Sequence, residues 1–196
     1  MTAETLDRAH PLRSWSGRFA ALPDGVRLAA EPFLAQACLR ATPFGPAAAR
    51  VAAGLGVTGL PGPSRSATGP TATVIWLGPD EWLVTTPSPT PGELESQLRA
   101  AAGPDGTVVD VSAQRTALRL RGRHARDLLE TGCAIDLHPR AFRAGSAVAT
   151  MLGPAQVLLL ALDGTATDYR ILVRASFAGY LAAWLVDAAT EFRTDT

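Results

Sequence analysis

Arginine is the residue type in this chain whose placement most suggests chemistry. Arg115, Arg119 and Arg121 lie on one face of a stretch whose other face carries Thr116, Leu118 and Leu120, and Arg123 and Arg126 follow closely. A planar guanidinium fork matches carboxylates and phosphates in a way that an ammonium does not. Such a face is either a solvated strand face or a surface for the anionic groups of a ligand or partner. Lysine and arginine together number 18, and every one of them is arginine. The chain therefore lacks a Schiff-base amine, a phosphate-loop lysine and an amine base.

Other chemical candidates are weaker. Gly54, Gly56 and Gly59 spell G-x-G-x-x-G, but a dinucleotide loop needs a strand before it and a helix after it. Here a helical pattern precedes and a proline-rich stretch follows, so a helix cap and a loop account for these glycines. His10, His124 and His138 are scattered without a cysteine, histidine or carboxylate at ligand spacing, which predicts no metal site. Cys38 and Cys133 form no C-x-x-C pair and read as small buried hydrophobes. Asp80 and Glu81 sit in a turn-forming stretch and read as solvated carboxylates. No serine lies in a G-x-S-x-G elbow.

The chain must fold to position any of these groups, and it has the means. At 196 residues with 47% hydrophobic content, it can bury a single substantial core, with one domain, in two halves, as the expectation. Eighteen acidic residues balance the basic ones for a net charge of zero, which gives no general attraction to nucleic acid or to an anionic membrane. No run approaches the ~20 apolar residues of a membrane span. Residues 1–15 carry charges and no apolar leader core, so a soluble, cytoplasmic protein is expected.

Residues 1–33 show weak periodicity and predict an extended N-terminal arm. From residue 34 onward the pattern sharpens. A strand over Leu34–Arg40 precedes a helix opened by Pro46 and stopped by Gly54 and Gly56. Residues 60–70 read as a loop. Strands Thr73–Leu77 and Trp82–Thr85 flank Gly78-Pro79-Asp80-Glu81, which predicts a hairpin. Thr90, Pro91 and Glu93 form a capping-box signature for a helix ended by Gly103-Pro104.

Strands are predicted at Thr107–Val111 and Arg115–Arg121, then a helix over 123–131. Three strands follow at 148–152, 157–162 and 169–173, of which the middle one is apolar on both faces and so central. A last helix spans 177–192, with Ser176 as its N-cap. Two passes of strand, helix, strands and helix predict an α+β fold of two related sheet-and-helix halves, about 34–106 and 107–196.

Thr73–Leu77 is apolar on both faces, and Trp76 and Trp82 bracket the turn. One face belongs to the core, while the other needs a second cover, from an internal helix or from a partner. Trp76, Trp82, Arg115, Arg119 and Arg121 are accordingly the candidate interface residues, since buried tryptophan and arginine dominate interface energetics.

Two stretches carry a family resemblance. Trp76-Leu77-Gly78-Pro79-Asp80-Glu81-Trp82-Leu83 is one; Val109-Asp110-Val111-Ser112-Ala113-Gln114-Arg115, running into Gly122 and Leu128-Leu129, is the other. Both resemble the gamma-subunit family of heterotetrameric sarcosine oxidase. The likeness extends over 133–142, 169–177 and the final helix, and covers most of the chain from residue 34.

The resemblance implies a fold similar to the folate-binding aminomethyltransferase domain. It also implies a non-catalytic, structural subunit working beside alpha, beta and delta chains, which turn sarcosine, oxygen and tetrahydrofolate into glycine, hydrogen peroxide and methylenetetrahydrofolate. FAD, FMN, NAD and folate would belong to those partners, leaving this chain with no cofactor and no catalytic residue. Aminomethyltransferases carry an acidic pair where this chain has Pro154-Ala155-Gln156. The alternative is a free-standing folate-binding protein or aminomethyltransferase-like enzyme of the same superfamily.

Overall fold

The structure is a computed structural model that describes residues 9–87 and 90–193. Two five-stranded sheets, antiparallel throughout, form its centre. The first contains β2 (Ala35–Ala41), β3 (Ser66–Thr68), β4 (Thr73–Gly78), β5 (Glu81–Thr86) and β6 (Gly106–Asp110), in the order β3-β4-β5-β2-β6. The second contains β1 (Arg27–Ala30), β7 (Arg115–Arg121), β8 (Ala147–Leu152), β9 (Ala155–Ala161) and β10 (Asp168–Arg174), in the order β1-β7-β10-β9-β8.

Strand alternation explains how the layers stack. Val74, Trp82 and Val84 point to one side of the first sheet, where they pack with helices α2 (Pro46–Leu55) and α3 (Pro91–Ala102) through Val51, Leu94 and Leu98. Leu118, Leu120, Val157, Leu159 and Ile171 do the same in the second sheet, against α4 (Ala125–Glu130) and α5 (Ala178–Ala188) through Leu128, Leu129, Leu181 and Leu185. The residues between them point inward, so that Ile75 and Leu83 meet Ala117, Leu158, Leu160 and Leu172 in a third cluster. The layers are helix, sheet, sheet, helix. The second apolar face of β4 is thus covered from within the chain, by the opposite sheet and not by a helix.

The crossing between sheets is pinned at the Asp110-Val111-Ser112 turn. Ser112 Oγ accepts from the Gln36 backbone N–H at 2.8 Å, and the Val111 N–H donates to the Gln36 carbonyl at 2.8 Å. A buried backbone pair at the end of β2 is satisfied in this way.

Several expectations are corrected. The segment read as an extended arm is, from residue 9 onward, a 3-10 turn (Arg13–Trp15), a short helix α1 (Ser16–Ala20) and the edge strand β1. Leu12, Phe19, Val26 and Leu28 are buried in the core of the second half, a contribution that its short apolar stretches are too brief to announce by periodicity. Gly122 makes this docking possible: its φ is 125°, and a Cβ there would lie 2.0 Å from the Gly25 carbonyl oxygen, a contact only glycine allows.

Gly56 alone, at φ 68°, ends α2, while Gly54 lies within the helix. Part of the expected 60–70 loop pairs with β4 as β3. Ser176 does not cap α5, because a 3-10 turn (Ala175–Phe177) intervenes and Phe177 takes the N-cap position. Among the described residues, no helix is long and apolar enough to cross a membrane.

Candidate interaction groove and basic cleft

An uncharged concavity lies on the outer side of the first sheet, beside α2. Its volume is about 580 Å³. Pro46 sets the first turn of α2 with Gly45 as N-cap, and the Ala48 and Ala52 positions of that helix form one wall. Leu60 and neighbouring prolines supply the opposite wall, and Trp76 and Trp82 complete it. No lining residue is charged.

Trp82 is buried, and its indole N–H donates to the Pro61 carbonyl at 2.8 Å. That bond ties the proline loop to the sheet. Trp76 is only partly buried. At the rim, Phe44 is 98% exposed with φ 59°, a left-handed conformation that is unusual for a bulky residue. Small-molecule sites combine apolar walls with a few placed polar groups. This groove has the walls, with Thr58 as its one hydroxyl-bearing lining side chain.

The candidate arginines separate into two environments. Arg119 is spent inside the chain: its Nε and Nη2 form a two-pronged contact with Asp168, the latter at 2.6 Å, and its Nη1 lies 3.7 Å from Glu31. Arg170 holds the same Glu31 with bonds of 2.6 and 2.9 Å. The exposed Arg121 reaches Asp168 at 3.4 Å. Arg115 lies apart, half-buried, with its Nη1 donating to Gln114. It faces Arg174 across the β7–β10 ladder.

Near Arg115, the thiol of Cys38 donates to Glu81 Oε1 at 3.1 Å, while Arg40 Nη2 donates to Glu81 Oε2 at 2.8 Å. Burial, followed by the Glu81 hydrogen bond and charge, pushes the Cys38 pKa up to about 12, against the opposing pull of Arg40 and Arg115. Such a thiol is a poor nucleophile. Among the described residues, no group of three or more His, Cys, Asp or Glu side chains could hold a metal.

Trp76 and Trp82 are thus brought to one groove, and the three arginines are not brought together as one surface. Phe44 was missed. Its signal is the string Pro43-Phe44-Gly45-Pro46, a large aromatic in a segment too rich in Pro and Gly to join a strand or helix interior. Arg174 was also missed, as its importance comes only from register with Arg115.

Comparison with known proteins is consistent across sequence and structure. The profile of the family described as "Sarcosine oxidase, gamma subunit family" matches residues 40–191. The sarcosine oxidase subunit gamma of an Arthrobacter sp. is 43% identical over 169 residues, covering 84% of this chain and 80% of that one. The corresponding subunit from Corynebacterium sp. (strain U-96) is 36% identical over 197 residues, covering 95% and 94%.

Among solved structures, a chain of the heterotetrameric sarcosine oxidase from Corynebacterium sp. U-96, in complex with pyrrole 2-carboxylate, superposes with a TM-score of 0.86 at 36% identity. The match covers 96% of this chain and 98% of that one. Aminomethyltransferase T of the glycine cleavage system from Bartonella henselae superposes with a TM-score of 0.62 at 13% identity, over 87% of this chain and 48% of that one. That second likeness shows a shared fold.

Proposed function

Because the chain belongs to the sarcosine oxidase gamma subunit family, we propose that it is the gamma subunit of a heterotetrameric sarcosine oxidase and serves assembly, not chemistry. The carrying observation is the near end-to-end match to a chain of such a heterotetramer. Its partners are alpha, beta and delta subunits in the cytoplasm, and the flavins, NAD and folate of the assembly reside on them. Sarcosine, oxygen and tetrahydrofolate are the substrates of the whole.

The uncharged groove behind Trp76 and Phe44 is the part of the surface that best suits such a partner. An exposed aromatic beside an apolar recess is the usual form of an interface anchor. Trp82, being buried already, contributes to the floor of this seat.

Co-expression of the four subunits with a tag on this chain tests the reading. The expected result is recovery of all four, a loss of recovery with Phe44→Asp at unchanged melting temperature, and no flavin absorbance in the chain purified alone. A chain that carries tightly bound flavin by itself, or fails to retain the other subunits, overturns it.

A further inference from the structure

Arg115 and Arg174 are directly opposed across an antiparallel ladder, a placement that is unfavourable for like charges unless something lies between them. Both belong to the strand face turned toward the first sheet, in register with Ala117 and Leu172 of the inter-sheet cluster. They line a small cleft of about 140 Å³ together with Leu77, Gln156, Leu158 and Leu172. Arg115 is half-buried there, and its pKa is lowered by burial and then by the neighbouring charge of Arg174.

Among the described residues, no carboxylate is in ion-pair contact with this pair, and Glu81 bears on Arg115 only through its charge. Glu81, the nearby acid, is already engaged by Arg40 at 2.8 Å and by the Cys38 thiol at 3.1 Å, and Asp80 lies 3.7 Å from the same Arg40. Neither Arg115 nor Arg174 forms a salt bridge among the described residues. The contrast with Arg119 and Arg170 is clear, since both of those are held by Glu31 and Arg119 by Asp168 as well.

We propose that the cleft framed by Arg115 and Arg174 is a carboxylate-binding site. Two guanidinium forks offer donors to both oxygens of a carboxylate, which gives the stronger, charge-assisted type of hydrogen bond. The remaining walls decide the class of anion. Leu77, Leu158 and Leu172 would lie against the hydrated oxygens of a phosphate at a desolvation cost, but they suit the short apolar stem of a carboxylic acid. The carboxylate comes either from a small free acid or from an Asp or Glu side chain of a partner subunit. Only the second source rests on the subunit reading above.

Calorimetry on the full chain with propionate, at fixed ionic strength and against phosphate, tests the site itself. Saturable propionate binding that falls roughly tenfold or more in Arg174→Gln, as expected when one charge-assisted partner is removed, supports a free acid. Arg174 is exposed, so this variant is expected to fold. Its melting temperature is measured alongside, and Arg115→Lys checks that charge without the fork only partly suffices.

Absence of propionate binding, together with a salt-sensitive drop in recovery of the partner subunits by Arg174→Gln at unchanged melting temperature, supports a partner carboxylate. Phosphate binding tighter than propionate overturns the carboxylate class. Propionate binding that the arginine variants leave unchanged, or no binding with assembly unaffected or not detected at all, overturns the site.

Discussion

Trp76 and Trp82 are direct partners across the β4–β5 ladder, beside a register shift between Trp76 and Gly78, yet they hold different positions in the molecule. Trp82 is 3% exposed and bonded to the Pro61 carbonyl, whereas Trp76 remains partly open on the groove. Trp82→Ala is expected to cost about 3–5 kcal/mol, as for other large aromatic deletions in a core. Trp82→Phe keeps most of the volume but leaves the Pro61 carbonyl without its donor, at about 1–3 kcal/mol. Trp76→Ala should cost less than half as much as Trp82→Ala. Urea unfolding of the three variants checks the ranking, and equal losses for the two alanine variants would refute it.

Phe44→Gly should separate fold from assembly by moving them in opposite directions. A bulky residue held in the left-handed region carries strain of about 1–3 kcal/mol, which exceeds the entropic penalty of glycine at about 0.5–1 kcal/mol. The isolated variant should therefore melt slightly higher while recovering less of the partner subunits. A lower melting temperature would show that Phe44 supports the fold.

The sequence was most informative where one periodicity had one physical meaning. The alternation of Thr116, Leu118 and Leu120 is that of β7, and the two apolar faces of 157–162 belong to β9, which lies between β8 and β10. There Val157 and Leu159 meet helices while Leu158 and Leu160 meet the other sheet. Thr90 is the N-cap of α3 as its signature predicts, but the capping box does not form: its hydroxyl donates to the Glu93 carboxylate and makes no side-chain bond to the helix backbone.

What the pattern could not supply was the identity of distant partners. Ile75 and Leu77 read as a face in need of cover, but nothing local says that Leu158 and Leu172 provide it. Arg119 reads from sequence as either solvated or partner-facing because its acids, Glu31 and Asp168, lie far away in the chain. The groove was half legible: its two tryptophans stood out, while the exposure of Phe44 depends on backbone geometry.

Cys38 should resist alkylation at neutral and mildly alkaline pH. Its pKa is raised from the ordinary 9.0 to about 12, by burial first and the Glu81 hydrogen bond second. The sign of the linked stability follows, because the folded state holds the thiol proton more tightly than the unfolded state. This contribution is intact below pH 9.0 and is lost as the pH rises toward about 12. Glu81→Gln should lower the thiol pKa and speed iodoacetamide modification, followed by mass spectrometry across pH. An unchanged rate profile would exclude Glu81 as a cause.

Glu31→Gln should loosen the attachment of the N-terminal segment. Its carboxylate is bonded twice by Arg170 and lies near Arg119, with side-chain exposures of 15–19% across the three. Removing one member of a fully buried pair costs about 3–5 kcal/mol; partial exposure here reduces the expectation to about 2 kcal/mol. Hydrogen exchange at the β1 amides should accelerate well before global unfolding. Uniform acceleration across both sheets would mean that the network supports the whole fold instead.

The pairing of Arg27 with Arg121 has a consequence for the order of events during synthesis. All the strands of the first sheet lie within residues 35–110, so it can close while the ribosome is still working on the remainder. β1 is made before any of them, but its neighbour β7 comes after all of them. The earliest described residues must therefore wait, unpaired, through the completion of the other sheet. Late closure of this kind carries a large loop entropy and slows folding. A stall in translation once residue 110 has emerged from the ribosome but β7 has not would leave a nascent chain with one finished sheet and an unpaired β1, the species on which a chaperone would act.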